Sequence, residues 1–168
     1  RMSLKLNIAV CDDEKYYRQH IKKLIDAYLK TEDVIYRIEV FSDGIDFCKD
    51  ERNYTAYDII FLDIEMQRMN GMETAYEIRK KNQDMDIVFI TVMSDYVFDG
   101  YKVSAVRYIL KEELEKLLPE CMSVLLKKRQ YFGQKILLEF VGGEREILLK
   151  EIYYMSEEES KHFLEIIK

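Results

Sequence analysis

Proline is nearly absent from this chain: Pro119 is the only one among 168 residues. It falls inside a long helical stripe, where its missing N–H and its ring predict a kink or a restart. Cysteine is scarce and scattered. Cys11, Cys48 and Cys121 form no CxxC pair, and the two histidines, His20 and His162, lie far apart. That pattern argues against a thiol metal site, a disulfide framework and histidine-based catalysis, and it fits a reducing, cytoplasmic setting. Long hydrophobic runs are missing too. The most apolar stretches resemble Ile59-Ile60-Phe61-Leu62, far short of the ~20 residues of a membrane span, so no membrane partner is expected. Arg1-Met2-Ser3-Leu4 leads straight into a strand-like run, so no leader peptide is expected. Positive charge is also in short supply. A net charge of −6 disfavours nucleic-acid binding by these residues, because phosphate contacts need a basic surface.

What remains is an ordinary globular mixture, 48% hydrophobic and 35% charged, of a length that allows one domain and a fraction. Apolar runs alternate with helical stripes. Leu6 to Cys11 reads as a buried strand. Tyr17, Ile21, Leu24, Ile25, Tyr28 and Leu29 then recur at helical spacing. Val34 to Phe41 is interrupted by Arg37 and Glu39, as suits an outer strand with one wetter face. Ser42-Asp43-Gly44 signals a turn or cap before a short helix with Ile45, Phe47 and Cys48. Tyr57 to Leu62 is the most hydrophobic strand and should be central. Asn70-Gly71 breaks the loop after it, and a helix with Met72, Ala75, Tyr76 and Ile78 follows. Ile87 to Ile90 predicts a fourth strand, Tyr96 to Tyr101 a short helix, and Val106 to Leu110 a fifth strand. Glu112 to Phe132 predicts a helix striped by Leu114, Leu117, Leu118, Met122, Leu125 and Leu126. Five strands alternating with helices imply an α/β fold, a doubly wound parallel sheet, and the flavodoxin-like order 2-1-3-4-5 is one of the two common arrangements left for it.

The strand ends carry the chemistry. Strand one ends in Asp12-Asp13, strand three in Asp63, strand four in Thr91 and strand five in Lys111. In an open parallel sheet these ends meet at the switch point, where ligands bind. Clustered carboxylates repel unless a cation joins them, and hard oxygen ligands suit Mg²⁺, which in turn neutralises phosphoryl oxygens. Lys111 adds a second positive charge and Thr91 a hydroxyl donor. Asp63, at the end of the central strand, is the natural nucleophile for an acyl phosphate. Taken singly, each residue has a plainer reading: Asp12-Asp13 as a helix cap, Thr91 as a strand residue, Lys111 as a surface lysine, Tyr108 as core. Only their joint placement points to chemistry.

These segments resemble the receiver domain of two-component response regulators, over roughly residues 5 to 130. The resemblance rests on Ile8 to Glu14, on Asp58 to Met66 with Met69-Asn70-Gly71-Met72, on Val88-Phe89-Ile90-Thr91, and on Arg107 to Lys111. It implies Asp63 as phosphoacceptor from a sensor histidine kinase. It implies Asp12, Asp13, Asp63 and the Glu65 backbone carbonyl as Mg²⁺ ligands, and Lys111 as the phosphoryl contact. Thr91 and Tyr108 would be the switch pair. Two positions depart from the family: Glu112 stands where proline usually follows the lysine in a cis peptide, and Gln67 replaces a proline in the loop after Asp63.

The pattern changes near Tyr131 to Gln134. Ile136 to Val141, a Gly142-Gly143 turn and Glu146 to Leu149 predict a β-hairpin, with further strand candidates at Ile152 to Met155 and His162 to Ile167. This stretch resembles the opening of a LytTR DNA-binding domain, of which fewer than half the usual residues are present. The expected organisation is a receiver over 5–132 and a LytTR-like fragment over 134–168. The function implied is a response regulator, not a turnover enzyme, whose complete output domain would bind DNA. A tail with open strand edges leaves room for a homodimer. Two other functions compete. A stand-alone receiver is weakened by the β-rich tail. A Mg²⁺-dependent phosphohydrolase of the haloacid-dehalogenase type needs DxD at its nucleophile, and Asp63-Ile64-Glu65 lacks the second aspartate.

Overall fold

The computed structural model describes residues 4–132 together with the strand backbones 135–140 and 143–148. The chain divides into two compact units, Arg1–Met122 and Ser123–Lys168. In the first, β1 (Leu4–Cys11), β2 (Val34–Phe41), β3 (Ile59–Leu62), β4 (Asp86–Thr91) and β5 (Arg107–Leu110) form one sheet in the order β2-β1-β3-β4-β5. Every neighbouring pair is parallel. Of the two common doubly wound orders, this is the flavodoxin-like one, as expected.

Strands buried on both faces need apolar residues at every position, and β3 and β4 are buried throughout. Side chains alternate across the sheet. Ala9, Cys11, Ile60, Leu62, Ile87 and Phe89 join Phe47, Met72, Ala75 and Ile78 in one core cluster. The alternate residues Ile8, Val10, Ile59, Phe61, Val88 and Ile90 are equally buried and so face the other way. There α1 (Lys15–Leu29) packs on β1 and β2, burying Ile21, Ile25 and Leu29. β2 lies at the edge, and its half-exposed pattern matches its interrupted sequence.

Several expectations need correction. The strand expected from Tyr57 begins only at Ile59, and an unforeseen helix, α3 (Asn53–Ala56), precedes it. With α2 (Gly44–Cys48) it fills the crossover from β2 to β3. Asn70-Gly71 does not merely break a loop: the Asn70 side chain caps α4 (Gly71–Lys81) by accepting the Glu73 N–H at 2.9 Å. Tyr76, expected in the apolar stripe, is 42% exposed. After α5 (Val97–Lys102) and β5, one 3-10 turn, Lys111–Glu113, leads into α6 (Leu114–Phe132). That helix continues through Pro119 and does not restart there. No cis peptide occurs among the described residues, so the Lys111–Glu112 bond is trans.

The second unit holds a hairpin of β6 (Lys135–Phe140) and β7 (Gly143–Leu148), antiparallel, with Phe140 opposite Gly143. Gly143 thus belongs to the strand, and residues 141 and 142 lie between the two strands. The strand candidates at 152–155 and 162–167 lie outside the described residues.

Candidate functional site

The strand register brings the polar residues together. Cys11 pairs with Leu62, Leu62 with Phe89 and Thr91 with Leu110, so Asp12, Asp63 and Lys111 each stand one residue beyond a paired position. The ladder runs one step further: Asp63 N–H donates to the Cys11 carbonyl at 2.9 Å and Asp12 N–H to the Phe41 carbonyl at 3.2 Å. Apolar strands thus carry two carboxylates to one buried end of the sheet, where Asp12 is 0% and Asp63 3% exposed.

Lys111 joins them. Its Nζ lies 2.9 Å from Asp12 Oδ2 and 3.0 Å from Asp63 Oδ2, with Glu14 Oε1 at 3.8 Å. The remaining oxygens are held by the backbone. Asp12 Oδ1 accepts the Glu14 N–H and Asp63 Oδ1 the Ile64 N–H, both at 2.8 Å. The Arg18 guanidinium donates to the Asp12 carbonyl at 2.8 Å. Burial, reinforced by the charge of Asp63, raises the Asp12 carboxyl to about 6. Burial also raises Asp63, opposed by Lys111 and the Thr91 hydroxyl. Burial alone would depress Lys111, but the two carboxylates outweigh it and hold the ammonium above its ordinary range.

A buried carboxylate oxygen normally receives a hydrogen bond. Asp12 Oδ2 has the ion-pair contact to Lys111 but no well-directed hydrogen bond. One carboxylate oxygen from each of Asp12, Asp13 and Asp63 falls within 4.8 Å of the others. An under-satisfied oxygen among three carboxylates fits a hard divalent cation that keeps several waters. Asp13 is exposed, and it lines one cleft with Glu65, Met66, Met93 and Tyr96.

The other expected residues are placed as follows. Thr91 is fully buried, and its hydroxyl accepts the Met93 N–H at 3.4 Å. Tyr108 packs on Phe89, ring centroids 5.9 Å apart, and its hydroxyl donates to the Met93 carbonyl. Thr91 and Tyr108 are therefore joined through Met93, a link that no spacing signals. Also unforeseen are the Tyr17 ring over Lys111 and Gly71, whose absent side chain lets α4 start against the Asp63 carbonyl. Tyr17 sits at core-stripe spacing, and glycine after asparagine reads as a loop, so neither role shows in the sequence.

An open, doubly wound parallel sheet with an acidic cluster and a lysine at its carboxyl edge defines a CheY-like receiver fold. The chain belongs to the response regulator receiver domain family, whose model matches residues 8–122. It is 30% identical over 125 residues to the sensory transduction protein LytT of Bacillus cereus, covering 74% of this chain and 49% of that protein. It is 29% identical to accessory gene regulator protein A of Staphylococcus epidermidis over 124 residues, 70% of this chain and 52% of that one. The chain thus spans about half the length of these curated relatives. Among solved structures it is similar to the response regulator TrrA of Thermotoga maritima in complex with Mg(2+)-BeF, at 32% identity and a TM-score of 0.61, covering 71% of this chain and 98% of that one. The response regulatory domain of mrkE from Klebsiella pneumoniae gives 25% identity and a TM-score of 0.65, over 74% and 98%.

Proposed function

We propose that this receiver accepts a phosphoryl group on Asp63 from a sensor histidine kinase and passes the signal to an output domain. The observation that carries the reading is the buried ammonium of Lys111, 2.9 Å from Asp12 and 3.0 Å from Asp63, beside an Asp12 oxygen without a hydrogen bond. Asp63 Oδ1 is held by the Ile64 N–H. That leaves Oδ2, the oxygen beside Lys111, to attack the phosphorus of a phosphohistidine. A P–O bond forms on Asp63, the P–N bond breaks, and its electron pair goes to the imidazole. Lys111 then turns from carboxylate to phosphoryl oxygen, and the Thr91 hydroxyl donates to a second one. Asp12, Asp13, Asp63 and the Glu65 carbonyl would hold Mg²⁺, which supplies positive charge against the phosphoryl oxygens.

A hydroxyl that turns toward the phosphoryl group leaves the Met93 amide, and Tyr108 is bonded to the same residue. Thr91 and Tyr108 thus form a coupled pair that reports the state of Asp63 to α5 and β5, a population shift between two arrangements. The domain serves as a cytoplasmic switch and not as a turnover enzyme: one phosphoryl group is held per chain, then lost by hydrolysis. The β6–β7 hairpin and the names of the relatives support residues 134–168 as the start of a LytTR-like DNA-binding domain, following a receiver over 5–132. Strand pairing through this segment would join two chains as a homodimer.

Intact-mass spectrometry with a small acyl-phosphate donor tests the reading. One added phosphoryl group is expected in the presence of Mg²⁺, none after chelation and none in Asp63→Asn. A wild-type mass that does not change with Mg²⁺ present would sink it.

A further inference from the structure

One close neighbour of the Lys111 ammonium is not a carboxylate. Its Nζ lies 3.9 Å from the centroid of the Tyr17 ring. Tyr17 belongs to the first turn of α1 and is half-buried. Its ring is met edge-on by Tyr16, with centroids 5.2 Å apart and planes at 78°. The Lys111 side chain is only 2% exposed, so the ring stands where water would otherwise solvate the ammonium. A cation over a ring face is attracted most strongly when desolvated in this way.

The ion-pair partners of Lys111 among the described residues are Asp12, Asp63 and Glu14. In the reaction proposed above, the oxygens of Asp12 are drawn to the cation and those of Asp63 to the phosphoryl group. An ammonium placed by the carboxylates alone would lose its two close anchors as the reaction proceeds and keep only the exposed Glu14 at 3.8 Å. The ring face is neutral, ligates no metal and takes no phosphoryl group, so it is a contact that the reaction does not consume.

We infer that Tyr17 is a positioning residue: its ring face keeps the Lys111 ammonium beside Asp63 while Asp12 and Asp63 are otherwise engaged. The inference rests on the proposed chemistry at Asp63, and it has a consequence for substitution. What matters is the ring, not the hydroxyl, so phenylalanine should serve and an aliphatic side chain should not.

The test uses the full chain with Tyr17→Phe and Tyr17→Leu, and with Tyr17→Met should the leucine variant melt early. Phosphorylation by an acyl-phosphate donor should proceed in Tyr17→Phe within about twofold of wild type, and in Tyr17→Leu about tenfold more slowly. The Mg²⁺ concentration giving half the maximal rate should stay unchanged, since the ring binds no metal. In a Lys111→Met background, Tyr17→Leu should cause no further slowing, because a residue acting through Lys111 has nothing left to place. Equal slowing by phenylalanine and leucine, or the same slowing with Lys111 already removed, overturns the proposal. A second readout does not depend on phosphorylation. Ring current should shift the Lys111 ε-methylene protons upfield in wild type and Tyr17→Phe, and Tyr17→Leu should abolish that shift. If wild type accepts no phosphoryl group, the chemistry assigned to Asp63 fails, and with it any role for Tyr17 in phosphoryl transfer. The lysine shift then still shows whether the ring holds the ammonium.

Discussion

Gly71 has no room for a methyl group. A Cβ there would lie 2.0 Å from the Asp63 carbonyl oxygen and 2.9 Å from the Ile64 Cα, and backbone atoms cannot swing aside. Its own N–H donates to the Ile64 carbonyl at 2.9 Å, so the start of α4 is pinned to the loop that carries Asp63. Gly71→Ala should cost about 1–3 kcal/mol by overpacking and should slow phosphorylation by displacing Asp63. Thermal melting and a mass time course check both, and a variant that matches wild type in each contradicts the packing. Asp12 makes a pH prediction. Its folded-state value of about 6 lies above the ~3.9 of an unfolded chain, so the folded state binds the proton more tightly. Without metal, stability should therefore rise as pH falls from above 6 toward 4, and Asp63, also raised, acts in the same sense. Metal ligation needs the ionised form, so Mg²⁺ affinity should fall about tenfold from pH 7 to pH 5. Calorimetric titration at the two values measures it, and equal affinities would contradict the assignment of Asp12 as a ligand. Asp12, Asp63, Thr91 and Lys111 were legible because each ends an apolar run. The partners Tyr17, Met93 and Gly71 were not, since their roles come from contacts across the fold.

α5 ends in a left-handed residue that is not glycine. Ala105 N–H donates to the Gly100 carbonyl at 3.0 Å and Ser104 N–H to the Tyr101 carbonyl at 3.1 Å, the paired bonds of a Schellman ending. Ser104 sits between them with φ 53, where a Cβ costs roughly 1 kcal/mol. Ser104→Gly should raise the melting temperature by about 3 °C. A lower melting temperature would show that serine contributes something there that the backbone does not reveal. The legible elements were those with a strong period. α1 and the buried strands stand close to where their patterns predict, because burial on one helix face or on both sheet faces leaves a repeating mark. α3 left none: Asn53-Tyr54-Thr55-Ala56 is one short turn with a single buried side chain, Tyr54. Pro119 predicts a break, yet it stands only five residues into a helix led in by a 3-10 turn. At that depth the proline removes one intrahelical bond, the one to the carbonyl four residues back, and the buried stripe of Leu114, Leu118, Cys121, Met122 and Leu125 on either side holds the helix together regardless.

At the scale of the whole molecule, the match covers about half of each curated relative reported above. The segment 134–168 carries Lys135, Arg145, Lys150, Lys161 and Lys168 but also eight glutamates, among them Glu157-Glu158-Glu159. Specific DNA binding needs several phosphate contacts and base-reading side chains on a complete fold. A gel-shift titration with promoter-like and random duplexes should therefore show no specific complex, and sedimentation should show association that disappears when the chain is cut after Phe132. A monomeric, protease-resistant tail would instead mark a complete small domain. The family was legible from the strand ends taken together, whereas residues 134–168, with short runs and no strong period, left a fainter mark. The central claim is that Asp63 alone takes the phosphoryl group. Borohydride reduction of the protein, after treatment with acyl phosphate and Mg²⁺, converts an aspartyl phosphate to homoserine, which peptide sequencing can place. The account predicts homoserine at position 63 and at no other aspartate. Homoserine at position 12 or 13, or none at all in protein that has gained the phosphoryl mass, would contradict it.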